Sequence, residues 1–129
     1  MKHAEFGGKK FINLCPHDVT IVLLDGSEFV VPQSGEELRC KEEKVCVDSI
    51  GDNLPLYLTR YSELQFKSDQ YKSVWDGPTG IRIVSSITMQ EIKNKYNRVS
   101  KNGITYTSPA DLIRDELGNV VSCRGIYYI

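Results

Sequence analysis

The sequence predicts an α+β fold in which a mainly antiparallel sheet carries one principal α-helix after the middle of the chain. Short runs rich in Val, Ile, Leu and Tyr recur between turn residues, an Asp-Gly pair separates two of these runs, and one segment has helical spacing. The chain has 129 residues and shows neither an internal repeat nor a linker. A single domain over residues 1–129 is therefore expected.

The first half of the chain is predicted to consist of strands and turns. A Pro16-His17 corner separates the first two apolar runs, and an Asp25-Gly26 pair follows the second. Because Asp-Gly tolerates the positive φ angles of a two-residue turn, the runs on either side of it are expected to pair antiparallel. The middle segments alternate in polarity, as half-exposed strands do. The expected strands of this half are 10–14, 18–24, 28–31, 36–40, 44–50 and 55–60.

The second half is predicted to hold the helix and a terminal hairpin. Thr88 followed three residues later by Glu91 is a capping-box pattern, which places the helix start there. Met89 and Ile92 lie on the expected core side, and the helix is expected to end near Asn97. The other segments are predicted to be an irregular connection, a strand, a loop and a hairpin with its turn at 117–119, over 62–80, 80–86, 98–110 and 110–129.

The bulk composition argues against several classes of protein. A net charge of −1 does not suit a protein that grips long nucleic acid by neutralising many phosphates. No apolar run reaches the ~18 residues of a membrane span and no signal-peptide stretch directs export, so the chain is expected in the cytoplasm. The four cysteines are sparse and irregular, which indicates reduced thiols and predicts no disulfide framework, metal site or other cofactor.

Few residues suit a catalyst. The sequence holds only two histidines, His3 near the N-terminus and His17 in the corner. A nucleophilic pair of Cys15 or Cys123 with His17 stays open at this point, because such partners meet in the fold and not along the chain. The favoured interpretation of His17 is structural, with its ring hydrogen-bonded to local backbone so that it fixes the corner.

Arg114 and Arg124 are the more suggestive residues, because they flank the predicted terminal turn. Paired strands are expected to hold them on one local surface, where their forked guanidinium groups suit a pyrophosphate or phosphodiester. The alternative is that Arg114 pairs on the surface with Asp111 or Glu116. Asn97 has donors and acceptors for a base edge, yet asparagine is also common at helix C-termini.

Two segments near the ends of the chain carry a resemblance to a known family. FINLCPHDVTIVLLDGSEFVVPQSGEELRC resembles a pattern of Asn-Leu-Thr-Pro-His, a hairpin, Pro-Pro-Ser-Gly and Ala-Arg. DLIRDELGNVVSCRGI resembles a closing Arg-Asp-Glu-x-Gly, a short strand and Cys-Arg-Gly. The chain is thus similar to the first-described family of phage anti-Thoeris sponge proteins. Cys15, Gln33 and Leu38 depart from the pattern, where Thr, Pro and Ala are usual, and residues 41–79 do not align with it.

The resemblance implies a protein that binds and sequesters cyclic ADP-ribose isomers, without cleaving them, in the cytoplasm of the infected host cell. It implies a homo-oligomer, a dimer or a hexamer, with pockets between subunits and, in some members, further pockets for cyclic oligonucleotides of CBASS type. Arg114 and Arg124 match arginines expected to hold phosphates. Asp115 is expected to contact ribose hydroxyls or to orient Arg114. Arg39 matches an arginine expected in the second pocket, and Asn97 joins the site by its position after the helix.

Two other hypotheses compete with this one. An enzyme that acts on a nucleotide signal would form product when present in catalytic amounts, whereas sequestration removes ligand stoichiometrically and releases it intact on denaturation. A structural or protein-interaction module without a small-molecule ligand would use Arg114 and Arg124 only as surface charges.

Overall fold

The computed structural model describes residues 2–66, 79–96, 100–101 and 103–127, and most of these residues lie in strands. The predicted α+β class is confirmed, since the described ranges hold a mixed, mainly antiparallel arrangement of strands and one helix after the middle. The elements are β1 (Ala4–Phe6), β2 (Lys9–Asn13), β3 (Val19–Val22), β4 (Glu28–Val31), β5 (Leu38–Ile50), β6 (Leu54–Phe66), β7 (Gly80–Ile83), α1 (Ser86–Glu91), a π-helical turn (Ile92–Tyr96), β8 (Ser100–Lys101), β9 (Ile104–Arg114) and β10 (Val120–Tyr127).

Seven strands follow one another across the main sheet in the order β1-β2-β7-β9-β10-β3-β4, and β8 adds to β9. β2, β7 and β9 run parallel, β10 runs antiparallel to β9, and β3 runs parallel to β10. β9 serves both halves of the sheet, because its first residues pair with β7 and its later residues pair with β10. Segments from near the two ends of the chain therefore meet where β10 joins β3.

The sheet curls so that its far edge returns toward its first strands. The ring of Phe29 on β4 lies 5.1 Å from the ring of Phe6 and 5.2 Å from the ring of Phe11, centroid to centroid. A parallel bridge between Asn13 and Gln33 links the end of β2 to the residues after β4. These contacts close one side of the curl with aromatic rings and backbone hydrogen bonds.

Two apolar cores lie on the two faces of the central strands. Because successive strand residues point to opposite faces, neighbours such as Phe11 and Ile12 belong to different cores. The sheet core lies inside the curl and contains Phe11, Cys15, Val19, Ile21, Val31, Ile83 and Cys123. The helix core lies between the sheet, α1 and the base of β5 and β6, and contains Ile12, Leu14, Leu38, Val84, Met89, Ile92, Ile104 and Tyr106.

Asn13 fixes the corner between β2 and β3. Its fully buried side-chain amide donates to the carbonyls of His17 at 2.7 Å and Val31 at 3.1 Å, and its oxygen accepts from the amide of Cys15 at 2.8 Å. Its own carbonyl accepts from the amide of Ser34 at 3.2 Å. One side chain thus satisfies three backbone groups from the corner and from β4, and two of these hydrogen bonds are buried.

The β3–β4 hairpin has the predicted antiparallel pairing but a longer turn than predicted. Val22 pairs with Glu28, and the amide of Leu23 donates to the carbonyl of Ser27 at 2.8 Å. Of the two predicted turn residues, only Gly26 has a positive φ, 87°. Three residues therefore separate the last hydrogen-bonded pair, because Asp25 accepts from Ser27 instead of taking a left-handed conformation.

The helix begins earlier than Thr88. Ser85 is the N-cap, its hydroxyl accepting from the amide of Thr88 at 3.3 Å, so Thr88 occupies the third helical position and not the cap. Met89 and Ile92 are buried as predicted. The last turn is π-helical and reaches Tyr96, beside the predicted end.

Part of the segment predicted as a loop is strand. β9 begins at Ile104, and its residues Tyr106, Thr107 and Ser108 are buried. Thr107 and Ser108 are polar, so the sequence pattern did not indicate a buried central strand here. Their small hydroxyl side chains hydrogen-bond within the sheet. One such bond joins the Thr107 hydroxyl to the carbonyl of Arg82 at 3.0 Å.

The middle of the chain is two long strands and not three short ones. β5 and β6 pair over 13 residues each and form a separate two-stranded ribbon. Pro55 lies inside β6, opposite Ser49, which a two-stranded ribbon tolerates because its outer edges need no donor. The part of this ribbon from Glu42 to Arg60 is called the arm below.

We predict that Asn13→Ala lowers the free energy of unfolding by about 3 kcal/mol, because it leaves two buried backbone groups and one part-buried carbonyl without their partner. Urea unfolding measures this value. Asn53→Ala, the same substitution at an exposed position in the turn of the arm, is the matched control and should change stability by less than about 0.5 kcal/mol. Equal effects of the two substitutions would contradict the role of Asn13.

Candidate functional site

The terminal β9–β10 hairpin holds three of the predicted site residues, and its turn is built on Asp115. One carboxylate oxygen of Asp115 accepts from the amides of Leu117 at 2.9 Å and Asn119 at 3.0 Å. Gly118 has a φ of 83°, a left-handed conformation that residues with a side chain rarely adopt. Its amide donates to the carbonyl of Asp115. The structure thus gives Asp115 a turn-forming role, with its second oxygen left to face solvent or a ligand.

Both arginines are exposed and have local partners. A guanidinium nitrogen of Arg114 donates to the carbonyl of Gly118 at 2.9 Å. A guanidinium nitrogen of Arg124 lies 3.8 Å from the carboxylate of Asp111, and both side chains are more than half exposed. An exposed pair of this kind contributes about 0–1 kcal/mol, so the guanidinium of Arg124 can exchange Asp111 for a phosphate at little cost.

The register directs the two arginines to different faces of the hairpin, which differs from the expectation of one shared surface. Ile113 lies opposite Ser122, and a bulge at Val121 separates this pair from the pair of Arg114 and Val120. Arg114 adjoins Ile113 and faces away from it, whereas Arg124 shares the face of Ser122. Along the strand direction, Arg114 and Arg124 are roughly 10 Å apart.

A small cavity of about 50 Å³ lies where the hairpin meets the start of β3. Leu112 and Cys123, which pair across the hairpin, line it and belong to the same face as Arg114. From the other end of the chain it is lined by the corner and β3. Its lining residues are His17, Asp18, Val19, Thr20, Pro109, Leu112, Val120, Val121, Ser122 and Cys123. The two sequence segments that carry the family resemblance therefore come together at this cavity.

Arg39 lies in a separate and larger cavity at the base of the ribbon. This cavity has a volume of about 470 Å³ and is lined by Pro16, Glu37, Arg39, Gln65 and Phe66. Its volume is within the ~300–1,000 Å³ of small-molecule sites. The two cavities flank the same corner, since Pro16 lines one and His17 lines the other. Asn97 lies outside the described residues.

The thiols near His17 are held in the protonated form. Burial raises the pKa of Cys15 to about 12, and the charge of Glu37 adds to the effect. Burial likewise raises the pKa of Cys123, whose thiol donates to the carbonyl of Thr20 at 3.6 Å. The ring nitrogen Nδ1 of His17 lies 3.0 Å from the carbonyl of Asp18. Neither thiol has the lowered pKa that an activated nucleophile needs.

Among the described residues, no group of three or more His, Cys, Asp or Glu side chains could hold a metal ion. No helix in those ranges is long and apolar enough to cross a membrane.

Several residues with structural roles were not predicted from the sequence. Asp18 lines the hairpin cavity, and its carboxylate accepts from the amide of Gln33 at 2.9 Å. Asp111 has a φ of 53° inside β9, a left-handed conformation that aspartate tolerates better than most residues. Arg82 is fully buried and donates to the hydroxyl of Tyr106 at 3.4 Å. Only the polarity of Arg82 within an apolar strand could have marked it in advance.

A third cavity also went unpredicted. It has a volume of about 560 Å³ and lies at the N-terminal ends of β2 and β7, where Lys9 and Lys10 line it together with Glu5. Glu5 pairs with Lys10 across β1 and β2, so much of the local positive charge is balanced within the sheet.

We predict that Cys46, which is exposed, reacts with N-ethylmaleimide in the native protein, whereas Cys15 and Cys123 react only after unfolding. Peptide mapping by mass spectrometry identifies the modified residue, and a urea-unfolded sample in which all three react is the control. Native labelling of Cys15 at the rate of Cys46 would contradict the burial described above.

The raised pKa of Cys15 also predicts a pH dependence of stability. In the folded state the thiol of Cys15 keeps its proton at pH values above the ordinary thiol pKa of 9.0. Its contribution to the free energy of unfolding is therefore complete below pH 9 and is lost as the pH rises toward about 12. Urea unfolding of the native chain and of Cys15→Ala at pH 8 and 10 should show a smaller loss of stability with pH in the variant. Equal losses would contradict the prediction.

Comparison with known proteins adds no family assignment. The chain matches no protein-family model, and searches of curated proteins and of solved structures found no significant match.

Proposed function

We propose that this protein binds cyclic ADP-ribose isomers and sequesters them without cleavage, as an anti-defence protein of a phage in the host cytoplasm. The observation that carries the proposal is the meeting of the two motif segments at one cavity. The corner at 17–18 and the bulge at 120–122 lie about a hundred residues apart in the chain, yet both line it.

The electrostatics of the hairpin support a small anionic ligand. Arg114 does not line the cavity, but it shares the face of Leu112 and Cys123, which do. It uses one guanidinium donor on Gly118, so its other donors remain for a phosphate. Arg124 has a weak, exposed partner on the other face. Because the two arginines lie on different faces, a pyrophosphate that contacts one arginine suits this arrangement better than a phosphate bound between both arginines.

The size of the cavity supports a site completed by a second subunit. A volume of about 50 Å³ holds one or two water-sized groups and not a nucleotide. The ligand would therefore extend over the exposed side chains of Leu112, Val120 and Val121, which flank the cavity. A homo-oligomer that covers these side chains would enclose the ligand, and we include a dimer or hexamer in the proposal.

The cavity at Arg39 is the proposed second site, for cyclic oligonucleotides of CBASS type. Its volume is about nine times that of the hairpin cavity, and Arg39 supplies an exposed guanidinium for a phosphodiester. Phe66 at its wall offers an apolar contact for a base.

We predict that isothermal titration with cyclic ADP-ribose isomers shows binding that Arg114→Ala weakens by about 10- to 100-fold, because a charge-assisted hydrogen bond to phosphate is lost. Arg124→Ala should weaken binding by a similar or smaller factor. Lys44→Ala, which removes an exposed charge from the arm, is the control and should leave binding unchanged. Boiling the complex and chromatography of the supernatant should return the ligand intact.

Three outcomes would contradict the proposal. Heat-released ligand that is chemically altered would indicate an enzyme. Binding that is insensitive to both arginine variants would move the site away from the hairpin. An absence of binding to every isomer and to a cyclic trinucleotide would leave a protein-interaction module.

A further inference from the structure

A fourth cavity, which we call the mouth cavity, lies inside the curl of the main sheet at the N-terminal ends of β2, β7 and β9. Its volume is about 310 Å³. Ile81 and Ile126 line it and pack against the sheet core. Thr105 and Thr107, which alternate along β9 with residues of the helix core, face the same way. The described lining residues are Lys9, Gly80, Ile81, Gly103, Thr105, Thr107 and Ile126.

The register of the strands gives the mouth cavity a rim and an inner end. Phe11, Ile81 and Thr105 are neighbours across β2, β7 and β9. Lys9 precedes Phe11 by two residues, so its side chain lies on the same face, at the rim. Thr107 follows Thr105 by two residues and is buried at the inner end. At about 3.3 Å per residue, the distance along the strands from the rim to Thr107 is about 13 Å.

The inner end suits an aliphatic group. The hydroxyl of Thr107 donates its proton to the carbonyl of Arg82 at 3.0 Å, so that proton is used within the sheet. Ile81 and Ile126 supply branched aliphatic side chains to the same cavity. A polar ligand group placed here would lose its water without gaining the Thr107 donor, which costs free energy. The interior of the mouth cavity therefore favours a hydrocarbon chain.

Lys9 supplies the charge at the rim. Its neighbour across β1 and β2 is Phe6, whereas Lys10 lies opposite Glu5 on the other face of the sheet. The carboxylate of Glu5 also lies 3.6 Å from the ring nitrogen Nε2 of His3. Within the part of the chain that the structure describes, the ammonium of Lys9 makes no hydrogen bond or ion pair. An anion at the rim would therefore gain this charge without displacing a partner.

The mouth cavity meets the third cavity at the rim. Lys9, Gly80 and Gly103 line both of them. The third cavity adds the polar side chains of Glu5 and Lys10 on its outer side. One end of a ligand can thus stay hydrated at the rim while its other end lies between the isoleucines.

We propose that the mouth cavity binds an aliphatic monocarboxylate of about eight carbons, with the carboxylate at Lys9 and the chain between Ile81 and Ile126. The single negative charge matches the single ammonium on this face of the rim. The length follows from the volume. At about 30 Å³ for each water-sized group, about 310 Å³ has room for about ten non-hydrogen atoms, which is the number in octanoate.

This site is distinct from both sites of the proposed function. Among the described residues, none lines both the mouth cavity and either the hairpin cavity or the cavity at Arg39. Carboxylate binding therefore goes beyond the proposed function and does not rest on it.

Isothermal titration with straight-chain carboxylates of about four to about twelve carbons tests the size and the charge of the ligand. Affinity should rise about fourfold with each added methylene, because each one buries apolar surface, and should level off near eight carbons when the cavity is full. Octylammonium has the same chain and the opposite charge. It should bind at least about tenfold more weakly than octanoate, because its charge is like that of Lys9.

Two lysine variants form a matched pair on adjacent residues of β2. Lys9→Gln should weaken octanoate binding by about 3- to 10-fold, because the charge beside the carboxylate is lost. Lys10→Gln removes the same charge from the other face of the sheet and should change binding by less than about twofold. Equal weakening by the two variants would indicate a general attraction to positive charge and would overturn the site.

A third variant tests the interior. Thr105→Phe adds about four non-hydrogen atoms to the lining, so the chain length at which affinity levels off should fall from about eight carbons to about four. Far-UV circular dichroism and urea unfolding check that the variant is folded. An unchanged limit in the folded variant would place the chain elsewhere and overturn the proposal.

The remaining outcomes separate carboxylate binding from the proposed function. A series in which no carboxylate binds the native chain would overturn the mouth site. Saturating octanoate should leave the titration with cyclic ADP-ribose isomers unchanged, because the two sites share no described lining residue. Octanoate that competes with a cyclic ADP-ribose isomer, and does so equally in Lys9→Gln, would assign octanoate to the hairpin cavity and overturn the mouth site alone.

Discussion

The buried amide of Asn13 is the constraint on which the curl of the sheet depends. It uses both of its donors and its oxygen on backbone groups, and these groups belong to the corner before β3 and to β4 at the far edge of the sheet. Because the amide of Cys15 and the carbonyl of Val31 would otherwise be buried without this partner, the side chain of Asn13 stabilises the observed path of the corner. That path places β3 beside β10 in the sheet and brings β4 back toward β1.

This path brings two distant motif segments together. The corner that Asn13 holds presents His17 and Asp18 to the hairpin, and on the hairpin Arg114 shares the face of Leu112 and Cys123, which line the cavity. The stable part of the molecule thus lies beneath the proposed site, whereas the site itself lies on exposed hairpin residues. The proposed sequestration needs placed hydrogen-bond donors and no activated nucleophile.

The parts that sequence could predict are those in which local chemistry decides the conformation. Asp-Gly between apolar runs specified the β3–β4 pairing, and the 117–119 turn specified the terminal hairpin, with Asp115 supplying the turn contacts. The start of β9 could not be predicted, because its buried hydroxyl residues are polar and are satisfied only by neighbouring strands. Nor could the arm, because its short alternating segments do not show that they continue through Pro55. Which face of the hairpin Arg114 and Arg124 lie on depends on a bulge that no pattern in the sequence predicts.

Hydrogen–deuterium exchange of the full chain with and without a cyclic ADP-ribose isomer tests the central claim most directly. If the corner and the hairpin form one ligand site, amides in 17–20 and 111–123 should exchange more slowly in the complex, while amides of the arm at 53–59 should show no change that depends on the ligand alone. Protection confined to the arm or to β1 and β2, with the hairpin unchanged under saturating ligand, would contradict it.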